Sequence, residues 1–148
     1  MAIQKTKRRG FTWDAEFKDY VAKIRDSLKE HGSVEMGNKE LFFLCVAVGL
    51  KERLKRPVPA RKTDSARLED LRDEDFALLK AMVISEVQDF QILLEEDNIY
   101  NVVEEYGAGG LAFLAAEYDQ SADFRNDLVS DFYGAILSYA ADSSRESK

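Results

Sequence analysis

The chain has 148 residues, of which 45% are hydrophobic and 33% are charged, and its formal net charge at pH 7 is -7. This length suits one domain with a sizeable core, and this composition excludes a wholly disordered chain. No apolar run approaches the roughly 18 residues of a membrane span, and no apolar stretch follows the basic N-terminal residues. We therefore expect a cytoplasmic protein without a membrane partner.

The charges are unevenly distributed along the chain. Residues 1–10 carry four cations and no acid, and residues 51–67 carry seven cations against two acids. Residues 68–105 instead hold twelve acids against two cations. Such an asymmetry can steer a charged partner, although it does not determine the fold.

The first predicted elements are a flexible basic tail at residues 1–10 and a helix from Asp14 to about Gly32. Apolar residues recur at intervals of three and four in this helix. A second helix begins near Asn38, which can cap it, and is apolar on almost every side, as is typical of the centre of a bundle. A strand is the alternative there, because many of its residues are β-branched or aromatic. Pro57 and Pro59 then exclude a regular helix.

The second half of the chain predicts further helices. One begins at Asp73 and is followed by a bend before Phe90, and another starts at Asp97 or Asn98. Glycines at 107, 109 and 110 would each cost about 1 kcal/mol inside a helix, so we expect a break there. A last helix is capped by Ser121 or Asp123, and residues 141–148 form a polar tail.

Strand signals are weak throughout, since there is no Asn-Gly or Asp-Gly hairpin turn and no clean alternation over a whole segment. The sequence therefore predicts an all-α domain at residues 11–140. We expect an irregular or orthogonal bundle of five to seven helices, because glycine and proline interrupt the helical pattern and the segments differ in length.

Few residues suit catalysis. His31, the only histidine, is predicted at a helix C-terminus, where a cation acts as a structural cap. Cys45, the only cysteine, lies in an apolar stretch and is expected to be buried. No zinc or phosphate-loop motif is present. We predict no catalytic residues, no metal site and no cofactor, so that the protein is not an enzyme.

Carboxylates are the remaining candidates for chemistry. Glu86 and Asp89 share a helix face, but adjacent acids such as Glu104 and Glu105 diverge by about 100°. A solvated acidic face is the simpler interpretation, and a metal-dependent hydrolase built on these acids remains an alternative.

The basic segment, which we define as residues 51–62, carries the main functional hypothesis. Its prolines would stiffen a loop and lower the entropic cost of holding its charges against a polyanion. We predict sequence-independent contacts with DNA phosphates. The predicted contact residues are Lys51, Arg53, Lys55, Arg56, Arg61 and Lys62.

The alternative hypothesis is a protein-interaction or assembly module. Its acidic helices, within residues 68–105, would dock on a basic protein, with another copy of the chain as a further candidate partner. The predicted partner-binding residues are Glu95, Glu96, Glu104 and Glu105.

Three stretches together carry a family resemblance over about residues 38–115. They read NKELFFLCVAVGLKERLKRPV, DEDFALLKAMVISEVQDFQILLEE and VVEEYGAGGLAFL. In this order of features the chain resembles small proteins associated with bacterial DNA phosphorothioation (Dnd) systems. The resemblance implies an accessory component of a DNA-modification or anti-phage defence system, with other proteins of that system as partners, and it implies no assigned enzymatic activity. It carries over no functional residue beyond the basic Arg-Pro segment.

Overall fold

The computed structural model describes residues 8–29, 36–58, 60–131 and 134. Its longer elements are β1 (Gly10–Asp14), α1 (Lys18–Lys29), α2 (Asn38–Glu52), β2 (Lys62–Arg67), α3 (Asp73–Val87) and α4 (Glu96–Gln120). Short 3-10 turns cover Ala15–Phe17, Leu68–Asp70 and Phe90–Leu94, and residues 124–131 are helical. The protein is thus predominantly helical, as the sequence predicts.

The prediction of a purely all-α fold is wrong, because β1 and β2 form a two-stranded antiparallel sheet. Gly10 lies opposite Arg67, and Asp14 lies opposite Lys62. Phe11 is buried in β1, whereas the next residue along the strand is half-buried. The strands are about fifty residues apart in the chain, so no hairpin turn connects them and the sequence has no local signal for their pairing. Their pairing also means that Lys62 lies in a strand rather than in a loop.

Residues Asn38–Glu52 form helix α2. This confirms the predicted central apolar helix, and the alternative of a strand is wrong. Cys45, Leu41 and Phe42 are among its buried residues. Gly37, not Asn38, is the N-cap residue, and the Glu40 carboxylate accepts a hydrogen bond from the Gly37 N–H at 3.1 Å. The helix ends where Arg53 adopts the left-handed conformation with φ 56°.

Helix α3 begins at Asp73 as predicted. The Arg72 N–H donates to the Asp75 carboxylate at 2.9 Å, which satisfies one backbone donor at the helix N-terminus. The predicted bend is also present: Gln88 adopts the left-handed conformation and the chain continues in a 3-10 turn from Phe90.

The predicted break at the glycines of the fourth helix is wrong. Helix α4 runs without interruption for 25 residues through Gly107, Gly109 and Gly110. A Cβ atom added to Gly110 would lie 1.7 Å from the Cys45 carbonyl oxygen, and one added to Gly109 would lie 2.2 Å from that of Leu54. The glycines therefore serve close packing of α4 against α2 rather than a turn.

Three predictions fall on residues outside the described ones. They concern His31, most of the N-terminal tail (residues 1–7) and the polar tail at residues 141–148. Residues 8–10 of the predicted tail, by contrast, contact the folded body: the Arg9 carbonyl accepts a hydrogen bond from the Leu68 N–H at 2.9 Å. Within the described part of the chain, no helix has both the length and the apolar character needed to cross a bilayer.

Candidate functional site

Backbone hydrogen bonds hold the basic segment against the helical body. The Leu54 N–H donates to the Gly49 carbonyl at 2.8 Å, and the Arg56 N–H donates to the Glu105 carbonyl of α4 at 3.0 Å. Further along, the Arg61 carbonyl accepts a hydrogen bond from the Ala15 N–H at 3.2 Å. The segment is therefore fixed at both ends by main-chain contacts, in addition to any stiffening from proline.

Three of the six predicted phosphate contacts already form ion pairs. Lys51 pairs with Glu52 at 2.7 Å, and Lys55 pairs with Glu105 at 3.7 Å. The uneven distribution of charge along the sequence therefore does not keep Lys55 apart from the acids of α4 in space. These pairs are partly exposed, so each stabilises the fold by at most about 1 kcal/mol.

Among the six predicted contact residues, Arg56 lies near both an acid and an aromatic ring. Its guanidinium lies 4.0 Å from an Asp14 carboxylate oxygen, and its central carbon lies 5.1 Å from the centroid of the Phe17 ring. The other Asp14 oxygen accepts a hydrogen bond from the Glu16 N–H at 2.9 Å. These contacts tie the basic segment to the first 3-10 turn.

The remaining three predicted contacts are exposed cations. Arg53, Arg61 and Lys62 have no acidic partner within 4.0 Å among the residues that the structure describes. Arg61 lines a cleft of about 630 Å³ between the basic segment and the first 3-10 turn. It is lined by Asp14, Ala15, Glu16, Arg56, Pro57, Ala60 and Arg61. Two acids line this cleft together with two arginines, so its charge is mixed.

The four predicted partner-binding acids have different contacts and therefore different roles in the fold. Glu104 is 7% exposed, and its Oε2 accepts hydrogen bonds from the Thr12 N–H at 2.8 Å and from Arg8 at 3.4 Å. Its carboxylate therefore joins α4 to β1 and is not presented to a partner. Glu104 is four residues after Tyr100 and three before Gly107, both buried, and this helical spacing could have revealed its burial.

The other three predicted acids lie nearer the surface. Glu96 pairs with Lys80 at 3.9 Å, and Glu105 is the partner of Lys55. Glu95 is exposed, and its carboxylate accepts a hydrogen bond from the Asn98 side chain. These residues therefore do not form one continuous acidic surface with Glu104.

Several titratable groups are perturbed by burial. Burial raises the pKa of the Cys45 thiol well above its ordinary value, which opposes formation of a reactive thiolate. Burial also raises the pKa of Tyr100 to about 12. The pKa of Tyr106 is raised by burial and by a hydrogen bond from its hydroxyl to Glu86 at 3.0 Å. In the described part of the chain, no group of three or more His, Cys, Asp or Glu residues is placed to hold a metal ion.

Comparison with known proteins identifies the family. No curated protein and no solved structure matches the chain. Residues 14–146 match the protein family described as DNA sulphur modification system-associated protein 4. This match covers most of the chain and includes all three stretches that carry the resemblance to Dnd-associated proteins. The chain therefore belongs to the family of DNA sulphur modification system-associated protein 4.

Proposed function

We propose that this protein is a non-enzymatic accessory component of a DNA sulphur modification system and contacts DNA phosphates through its basic segment. The observation that carries the proposal is the set of three exposed cations without an acidic partner in the described structure, namely Arg53, Arg61 and Lys62. The family links the chain to a DNA-modifying system, which makes a DNA contact pertinent.

The way in which the segment is held supports this role. Because main-chain hydrogen bonds fix Leu54, Arg56 and Arg61, little backbone entropy is lost when the neighbouring cations meet phosphates. The net charge of -7 opposes any wider contact with DNA, so we expect one short, sequence-independent contact of modest affinity.

The ion-paired cations contribute less in this proposal. Lys51, Lys55 and Arg56 each have an acid within 4.0 Å that repels a phosphate. A phosphate would have to replace that acid, which offsets most of the electrostatic gain. We therefore assign the leading role to Arg53, Arg61 and Lys62.

Charge reversal tests the proposal. The variant Arg53→Glu/Arg61→Glu should lose measurable binding to a fluorescent 20-base-pair duplex in about 50 mM salt, because two phosphate contacts become repulsive. The matched control, Lys23→Glu/Lys29→Glu, makes the same change in net charge on exposed residues of α1. The control should keep most of the binding. Absence of binding in the parent protein, or equal losses in both variants, would refute the proposal.

The alternative, in which Glu95, Glu96, Glu104 and Glu105 dock a basic protein, has less support. Glu104 is buried in contacts with β1, and Glu96 and Glu105 have lysine partners. Substituting Glu95→Lys should therefore have little effect on association with other proteins of the system. A large loss in a binding assay with such a protein would favour this alternative.

A further inference from the structure

Helix α3 has an apolar surface that the rest of the described chain does not cover. Only Leu79 and Val83 are buried in it. Of its eight exposed positions, four are apolar, and Leu78 is 47% exposed. An ordinary surface helix presents polar residues to water, so an apolar exposed face indicates a missing partner.

Three of the four exposed apolar residues of α3 lie close together on the helix, and the fourth, Val87, lies on another side. Ala77 and Ala81 are four residues apart and share a face, and Leu78 and Ser85 flank that face at helical spacing. We call these four residues the outer face of α3. Small residues there would allow another helix to approach closely, but the exposure of Leu78 is the feature that requires an explanation.

Most of the exposed charges near this face are negative, and Arg72, the exposed cation just before the helix, lies 4.0 Å from the Asp75 carboxylate. The eight exposed positions of α3 include Asp73, Glu74 and Glu86 but no lysine or arginine. The only lysine of the helix, Lys80, is half-buried and pairs with Glu96. Beyond the C-terminus of the helix, Asp89 adds another exposed acid. The outer face is therefore an apolar strip with acids at both ends.

We propose that the outer face of α3 docks a basic amphipathic helix of another protein, one with an apolar stripe flanked by lysine and arginine. Charge complementarity favours this occupant, because its cations would meet Glu74 at one end and Asp89 at the other, whereas the Glu86 carboxylate already accepts a hydrogen bond from Tyr106. A second copy of the chain is disfavoured, since a two-fold contact would bring the same acids against each other. This inference does not depend on the proposed DNA contact.

A designed peptide tests the chemistry of this surface. The probe is a fluorescein-labelled 18-residue peptide of leucine and lysine, with the leucines at helical spacing, and the control peptide has glutamate in place of every lysine. Fluorescence anisotropy at physiological salt should show binding of the lysine peptide to the full chain and none of the glutamate peptide.

Variants then locate the peptide on the protein. Leu78→Lys puts a cation on the apolar strip and should weaken binding of the lysine peptide by roughly tenfold or more. The matched control is Val129→Lys, which makes the same charge change at an apolar residue that is 58% exposed in another helix. The control should change the affinity less than about twofold. Ala81→Arg provides a second variant of the same face, and circular dichroism establishes that all variants remain folded.

Three results would overturn the proposal. One is the absence of binding to the lysine peptide, and another is an equal loss for Leu78→Lys and Val129→Lys. The third is a dimer in sedimentation velocity that Leu78→Lys dissociates, because a second copy of the chain would then be the occupant. A tenfold loss confined to Leu78→Lys and Ala81→Arg would support the proposal and is separable from duplex binding, which Arg53 and Arg61 govern in the proposed function.

Discussion

Two adjacent glutamates show how strongly burial changes the role of a side chain. Glu104 is buried and accepts hydrogen bonds from Thr12 and Arg8, whereas Glu105 is half-buried and pairs with Lys55 across 3.7 Å. In the sequence they are equivalent acids. In the structure, one joins β1 to α4 and the other lies beside the basic segment.

The variant Glu104→Gln should lower the free energy of unfolding by about 2 kcal/mol, because hydrogen bonds to a charged acceptor are lost in a buried site. The control, Glu105→Gln, should lower it by less than about 1 kcal/mol, since its ion pair is partly exposed. Urea denaturation monitored by circular dichroism measures both values. Equal losses would contradict the structural role assigned to Glu104.

Asp75 links stability to pH. The hydrogen bond from the Arg72 N–H lowers the pKa of the Asp75 carboxyl, and Lys39 at 3.3 Å contributes to the same effect. Because the folded-state pKa lies below the unfolded value of about 3.9, the ionised carboxylate stabilises the fold above that pH. This contribution is lost as the pH falls through the folded-state pKa.

We expect Asp75→Asn to lower the free energy of unfolding by about 1 kcal/mol at pH 7, and the loss should shrink as the pH falls through the lowered folded-state pKa of Asp75. Urea denaturation at several pH values tests this expectation. The control is Glu74→Gln, an exposed change in the same helical turn at a residue without a side-chain hydrogen bond in the described structure. A penalty for Asp75→Asn that is independent of pH would show that the charge is not responsible.

At the scale of elements, the packing of α2 against α4 organises the fold. Both helices have glycine where their backbones meet: a Cβ on Gly49 would lie 2.1 Å from the Tyr106 carbonyl oxygen, and one on Gly110 would lie 1.7 Å from that of Cys45. The intrinsic cost of glycine in a helix, about 1 kcal/mol each, is offset by this close packing.

Gly110→Ala should therefore destabilise the protein by at least about 3 kcal/mol, because the new methyl group would meet a backbone atom rather than a flexible side chain. Gly134→Ala is the matched control, since a Cβ there has no atom within 4 Å among the described residues. It should be neutral or stabilising by up to about 1 kcal/mol. Thermal and urea unfolding compare the two variants, and a small effect of Gly110→Ala would contradict the close approach of the helices.

At the scale of the whole molecule, some acids and cations that are far apart in the sequence lie next to each other in space. Asp14 and Glu105 are remote from the basic segment along the chain, yet each lies within 4.0 Å of one of its cations. Together with the Lys51–Glu52 pair inside the segment, these contacts reduce the number of its unpaired cations from six to three in the described structure. This reduction has a measurable consequence for the proposed association with DNA.

The logarithm of the DNA association constant should fall with the logarithm of the salt concentration at a slope of about -3, since each neutralised phosphate contributes about -0.9. A slope near -5 would mean that all six cations neutralise phosphates and that the ion pairs open on binding. Titrations of one duplex at four salt concentrations distinguish the two values. The Lys23→Glu/Lys29→Glu protein should give the same slope as the parent.

Local sequence patterns determined most of the helices. The start of α3 at Asp73, the bend before Phe90 and the burial of Cys45 all follow from interactions within a few residues of each position. Helical periodicity, capping and the left-handed turn are local properties, so one sequence is enough to reveal them. The family resemblance also lay in the order of such local features.

The sequence by itself thus determined a predominantly helical chain, the start of α3 with the bend after it, and the family. Only the tertiary structure decided that Gly10–Asp14 pairs with Lys62–Arg67, that the glycines of α4 promote packing, and that Lys55 and Arg56 have acidic partners whereas Arg61 has none among the described residues. Each of these depends on residues tens of positions apart, whose approach is set by the packing of the whole core rather than by local preference.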